Sequence, residues 1–143
     1  MRRLACLAAG PALLAAFFSI AAGETRGGGP KEVSLGESFD LGRGQQATIS
    51  AEYVLIVFTA VLEDSRCPKG EQCIVAGKAR VMLDVSVGGS APASVELGTS
   101  EGHAETSVGN FEIVLEELKP YPVSGHSIRP DDYSVGLSIR KLL

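Results

Sequence analysis

The sequence predicts an all-β domain, an antiparallel β-sandwich or else a small β-barrel, with roughly seven or eight strands and one disulfide. Two long runs alternate apolar and polar residues with period two. Short β-type runs are separated by glycine- and proline-bearing turns, and no stretch carries a convincing helical period.

The first residues are set apart from that domain. Within a chain of 143 residues, Met1-Arg2-Arg3 is a short basic region, residues 4–20 are apolar, and Ala21-Ala22-Gly23 supplies small residues. Basic, apolar, then small is the order of a secretory signal peptide. Residues 1–23 are therefore expected to be cleaved, after Gly23 or after Ala21, and the mature protein to be exported to the periplasm or the medium. The competing reading is an uncleaved anchor, since the run approaches the roughly 20 residues that span a bilayer. Gly10-Pro11 interrupts it, and much of it is weakly apolar alanine. Cys6 follows Leu4-Ala5 as in a lipidation site, but no apolar region precedes it. No membrane insertion is expected after cleavage.

Residues 24–32 are polar and rich in glycine, and read as a flexible leader. The single domain is expected over residues 33–143. Residues 53–62 are apolar on both faces, as in a strand covered on both sides and central in its sheet. Val54, Ile56, Val57 and Thr59 are β-branched, which favours strand over helix. In residues 80–87, Val81, Leu83, Val85 and Val87 share one face. Val95 and Leu97 make a shorter run. Phe111, Ile113 and Leu115 alternate with Glu112 and Glu116, and Tyr133, Val135, Leu137 and Ile139 line one face of the last strand. Gly88-Gly89-Ser90 suits a tight hairpin, Val108-Gly109-Asn110-Phe111 suits a second, and Pro120 and Pro122 end a strand. Gly42-Arg43-Gly44-Gln45-Gln46-Ala47 formally matches a dinucleotide fingerprint. With no helix following it, it is read as a turn.

Charge and cysteines narrow the chemistry. Without Arg2 and Arg3 the chain keeps 11 cationic against 17 acidic side chains, a net charge of −6. Phosphate backbones repel such a chain, so nucleic acid is not expected as a partner. Cleavage would also remove Cys6 and leave only Cys67 and Cys73, which in an exported protein read as a disulfide. Closing so short a loop adds about 2 kcal/mol on the chain-entropy estimate.

The loop that holds them, Asp64-Ser65-Arg66-Cys67-Pro68-Lys69-Gly70-Glu71-Gln72-Cys73, is the densest in information. One reading is structural: Asp64 caps the turn, Arg66 pairs with Asp64 or Glu63, and Pro68 and Gly70 bend the chain. The other is a rigid recognition loop in which Asp64, Arg66, Lys69 and Glu71 are the candidate binding residues and Arg66 and Lys69 are exposed. A disulfide would lower the entropy lost on binding. Five residues between the cysteines is unlike a thiol oxidoreductase pair.

The run Asp64-Ser65-Arg66-Cys67-Pro68, followed by Cys73 and Ala76-Gly77, resembles a motif of small uncharacterised bacterial secreted proteins and lipoproteins. The resemblance extends over most of the mature chain, including residues 118–122. At Val75 this chain departs from the motif, which has an aromatic residue there. The resemblance implies secretion and a β-domain, and brings no activity with it.

Other constellations are weaker. Glu101, His103 and Glu105 alternate, so on a strand they would face one way and could hold a divalent ion. No serine lies in a nucleophile-elbow pattern, and His126 has no partner visible in the sequence. The leading expectation is a non-enzymatic extracytoplasmic binding module for a protein or envelope component, with no cofactor. A loop-type inhibitor of a secreted hydrolase and a metal-assisted enzyme around His103 are the alternatives.

Overall fold

The computed structural model describes residues 28–143. The expected signal peptide lies outside the described residues. Nine strands follow in order: β1 (Lys31–Glu32), β2 (Ser38–Gly42), β3 (Gln46–Ile49), β4 (Val54–Asp64), β5 (Ala79–Val87), β6 (Ala93–Gly98), β7 (Glu105–Val108), β8 (Phe111–Lys119) and β9 (Ser134–Lys141). Among the described residues the only helical pieces are two single 3-10 turns, Ser50–Glu52 and Pro130–Asp132.

The strands form two sheets, one ordered β1-β3-β4-β5-β6 and the other β2-β9-β8-β7. Every pairing is antiparallel except β1 with β3. The arrangement is a sandwich and not a closed barrel. The leader ends earlier than its composition suggests: Lys31 and Glu32 pair with Ala47 and Thr48. The Glu32 carboxylate also accepts from the Ser50 backbone N–H at 2.9 Å and hydroxyl at 2.7 Å.

Alternation places the core where the apolar residues require it. Val81, Leu83 and Val85 of β5, Ile113 of β8, and Val135, Leu137 and Ile139 of β9 are all buried, in one core with Ile56 and Phe58 of β4. Each such side chain contributes about 1.5–3 kcal/mol by leaving water. β4 is third of five strands in its sheet, hence central. Its second face is not covered by a further layer among the described residues. Leu55 and Val57 are half-buried there, shielded by neighbours on the same face such as Thr48 and Met82.

The turns follow their residues. Gly88 and Gly89 both have positive φ (63° and 75°), and Ser90 N–H reaches Val87 O at 3.1 Å, the signature of a type I′ hairpin turn. At the β7–β8 hairpin only Gly109 is positive, at 58°. β8 ends at Lys119, immediately before Pro120. Residues 43–45 form the tight β2–β3 turn.

Candidate functional site: a braced loop and its docking segment

The connection between β4 and β5 is residues 65–78, and its base is fixed before the disulfide begins. Arg66 is only 8% exposed. Its Nε and Nη2 donate to the two carboxylate oxygens of Asp64, each at 2.7 Å, in a bidentate pair. Nη1 donates to Leu118 O at 2.7 Å and Nη2 to Pro120 O at 3.0 Å. Tyr133 completes the cluster, its hydroxyl donating to Asp64 Oδ2 at 3.0 Å. The Asp64–Arg66 pair thus ties the end of β4, in one sheet, to the end of β8 through the guanidinium and to the start of β9 through the carboxylate.

Burial pushes the Asp64 carboxyl upward, but hydrogen bonds from Arg66 and Tyr133 and the adjacent cation outweigh it. The carboxyl is held below the ordinary aspartate value. Tyr133 moves the other way, raised by burial and by its bond to Asp64. Paired charges with filled hydrogen-bond positions are the condition under which a buried ion pair is tolerated. Among the described residues no buried side-chain nitrogen or oxygen lacks a partner.

Ser65 and Gly77 close the base from the other side. Ser65 N–H donates to Lys78 O at 2.8 Å, and Lys78 N–H donates to Ser65 Oγ at 3.1 Å. A Cβ on Gly77 would lie 1.4 Å from Ser65 O, so only glycine lets the two chain segments approach this closely. Asp64, Ser65, Arg66 and Gly77 therefore have a shared physical cause. They hold the two ends of one loop together.

Above that base, Cys67 and Cys73 are joined, with Cα atoms 6.0 Å apart. Residues 68–71 make a turn in which Glu71 N–H reaches Pro68 O at 3.2 Å, with Gly70 supplying the positive φ of 93°. The turn docks on residues 122–124 through a parallel bridge: Lys69 N–H to Pro122 O at 2.9 Å and Ser124 N–H to Lys69 O at 3.0 Å. Ser124 Oγ donates to Glu71 Oε1 at 2.8 Å. The Tyr121 ring lies near two cations, Arg66 Cζ at 5.0 Å and Lys69 Nζ at 5.5 Å from its centroid. Tyr121 and Val123 stay largely exposed, and with Pro120, His126 and Ile128 they border a shallow groove of about 270 Å³. Immediately after Cys73, Ile74 is fully exposed and Val75 is 75% exposed.

Of the residues singled out from sequence, the structure divides two from two. Lys69 and Glu71 are exposed on the loop. The recognition reading places Arg66 at the surface, but it is buried, and it is paired with Asp64 in the internal clamp as the structural reading expects. Ile74, Val75, Tyr121 and Val123 were missed as surface. An exposed Ile-Val pair reads in sequence like the start of another strand, and the bridge to Val123 spans more than fifty positions.

The other candidates do not assemble. Glu101 and Gly102 form a turn closed by His103 N–H to Ser100 O at 3.1 Å, so Glu101, His103 and Glu105 do not share a strand face. Among the described residues no three His, Cys, Asp or Glu side chains are placed to hold a metal ion. No helix among them is long and apolar enough to cross a membrane. Comparison with known proteins returns no match among family models, curated proteins or solved structures. The fold and site define a disulfide-bearing β-sandwich with a braced surface loop.

Proposed function

We propose that the protein is a non-enzymatic extracytoplasmic binding module that uses the braced loop to recognise a protein or other envelope component. The observation that carries this reading is the tip. Ile74 and Val75 are presented to water directly beside Cys73, on a base fixed by the Arg66 clamp. Large apolar side chains held out of the core contribute nothing to folding there, and a rigid mount reduces the entropy lost when they are covered. The turn of the same loop carries Lys69, and the segment it docks on carries Tyr121 and Val123, an aromatic and an aliphatic side chain near a cation. Export is supported by the tripartite character of residues 1–23, by the disulfide and by the resemblance of the loop segment to small secreted proteins.

The test is retention of envelope components by the immobilised mature protein, compared with an Ile74→Asp, Val75→Asp double variant. Both positions are exposed, so the variant should melt within a few degrees of the native protein. The component retained by the native protein should be lost from the variant. Equal retention by both would remove the tip from recognition.

A further inference from the structure

The loop is anchored in two separable ways, and only one depends on the cysteines. Below Cys67, the Asp64–Arg66 pair and the Arg66 bonds to Leu118 and Pro120 hold the base. The Ser65–Lys78 bonds and the close approach at Gly77 hold it from the other side. Residues 68–72, by contrast, meet the body of the protein at the surface, through two backbone hydrogen bonds to Pro122 and Ser124, one between Ser124 and Glu71, and the Lys69 contact with the Tyr121 ring. Cys73 is an exposed residue and Cys67 a half-buried one, which puts the bridge at the protein surface.

We propose that the Cys67–Cys73 disulfide is a site of thiol exchange: a dithiol opens it, and opening releases residues 68–72 from residues 122–124 while the sandwich stays folded. A thiolate of the dithiol attacks Cys73 Sγ, the Sγ–Sγ bond breaks, and Cys67 leaves as a thiolate that takes a proton from water. The second thiol of the reductant then loses its proton to water and attacks the reductant's first sulfur in the mixed disulfide, and Cys73 leaves as a thiolate that takes up a proton. Two electrons pass to the protein, and the dithiol ends as a disulfide.

Three surface hydrogen bonds have little net value each. They do not offset the freedom that residues 68–72 regain once the ring is open. Release carries Lys69 away from the Tyr121 ring and removes one support from Ile74 and Val75. That consequence for recognition rests on the proposed function, whereas the opening itself does not.

Amide hydrogen exchange on the mature protein, with and without dithiothreitol, tests the opening. In the oxidised protein the Lys69 and Ser124 amides are hydrogen-bonded across the clasp. In the reduced protein both should exchange at least about tenfold faster, while the Ser65 amide and those of β4, β5 and β8 keep their protection. A Cys67→Ser, Cys73→Ser variant should show the same pattern with no reductant. Unchanged exchange at Lys69 and Ser124 after full reduction would overturn the proposal. So would loss of protection throughout the sheets, or a bridge that dithiothreitol leaves intact in the folded protein. Exchange reports the opening, and retention of an envelope component reports the recognition surface, so failure of one is distinct from failure of the other.

Discussion

Arg66 and Lys69 lie three residues apart on one loop and have opposite fates. Arg66 gives Asp64 a bidentate partner and fills two backbone carbonyls, with its side chain 7% exposed. Arg66→Ala leaves a buried carboxylate without its cation, and should destabilise the domain by about 3–5 kcal/mol in urea unfolding. Arg66→Lys should recover only part of this, because an ammonium cannot reproduce the planar fork. Lys69→Ala removes an exposed side chain and should change stability by less than about 1 kcal/mol. The same cluster sets an acid limit. The Asp64 carboxyl is lowered in the folded protein, so on acidification the unfolded chain takes its proton first. The stabilisation is complete above the unfolded aspartate value of about 4 and is lost as pH falls from there through the folded value. Urea unfolding from pH 7 to 2.5 should show native protein and Asp64→Asn separated by a constant gap down to about pH 4. Below that the gap should close.

At the scale of the element, period-two alternation is the dominant signal, and it is reliable wherever one face meets the core. Leu137 lies on the buried face of β9 and Ser138 on the other. Leu137→Asp puts an unpaired carboxylate into the core at a cost of several kcal/mol, comparable with the stability of the whole domain. It should abolish the melting transition, and Ser138→Asp should keep it. An inverted outcome would mean the register of β9 is shifted by one residue. The long strands and their turns were legible because alternation, β-branching and paired glycines are local. β1, β2, β3 and β7 are too short for a period to establish itself. The apolar outer face of β4 misled, because full coverage and partial shielding by same-sheet neighbours give the same residue pattern.

For the whole molecule, sequence narrows the architecture to sandwich or barrel, and closure is decided by which edge strands pair, a long-range matter that no local run contains. The site is legible to the same degree. The cysteines and the dense loop stand out in sequence, whereas the clamp needs Leu118, Pro120 and Tyr133, which are 52, 54 and 69 positions from their partners. Among the described residues, exposed large apolar side chains that the core does not use include Ile74 and Val75 at the loop tip, Leu62 on β4, and Tyr53, which is 76% exposed and held at φ 52°. A bulky residue in that left-handed region is disfavoured by about 1–2 kcal/mol, so Tyr53 is the natural control for the tip. On the proposed function, the loop tip and not the other exposed surface meets the partner. The most direct measurement places a photo-reactive residue at position 75 or at position 53 of the protein made in an exporting bacterium, and compares the adducts formed on illumination. A discrete adduct from position 75 and none from position 53 is the predicted result. An adduct from position 53 alone, equal labelling from both, or none from position 75 would contradict it.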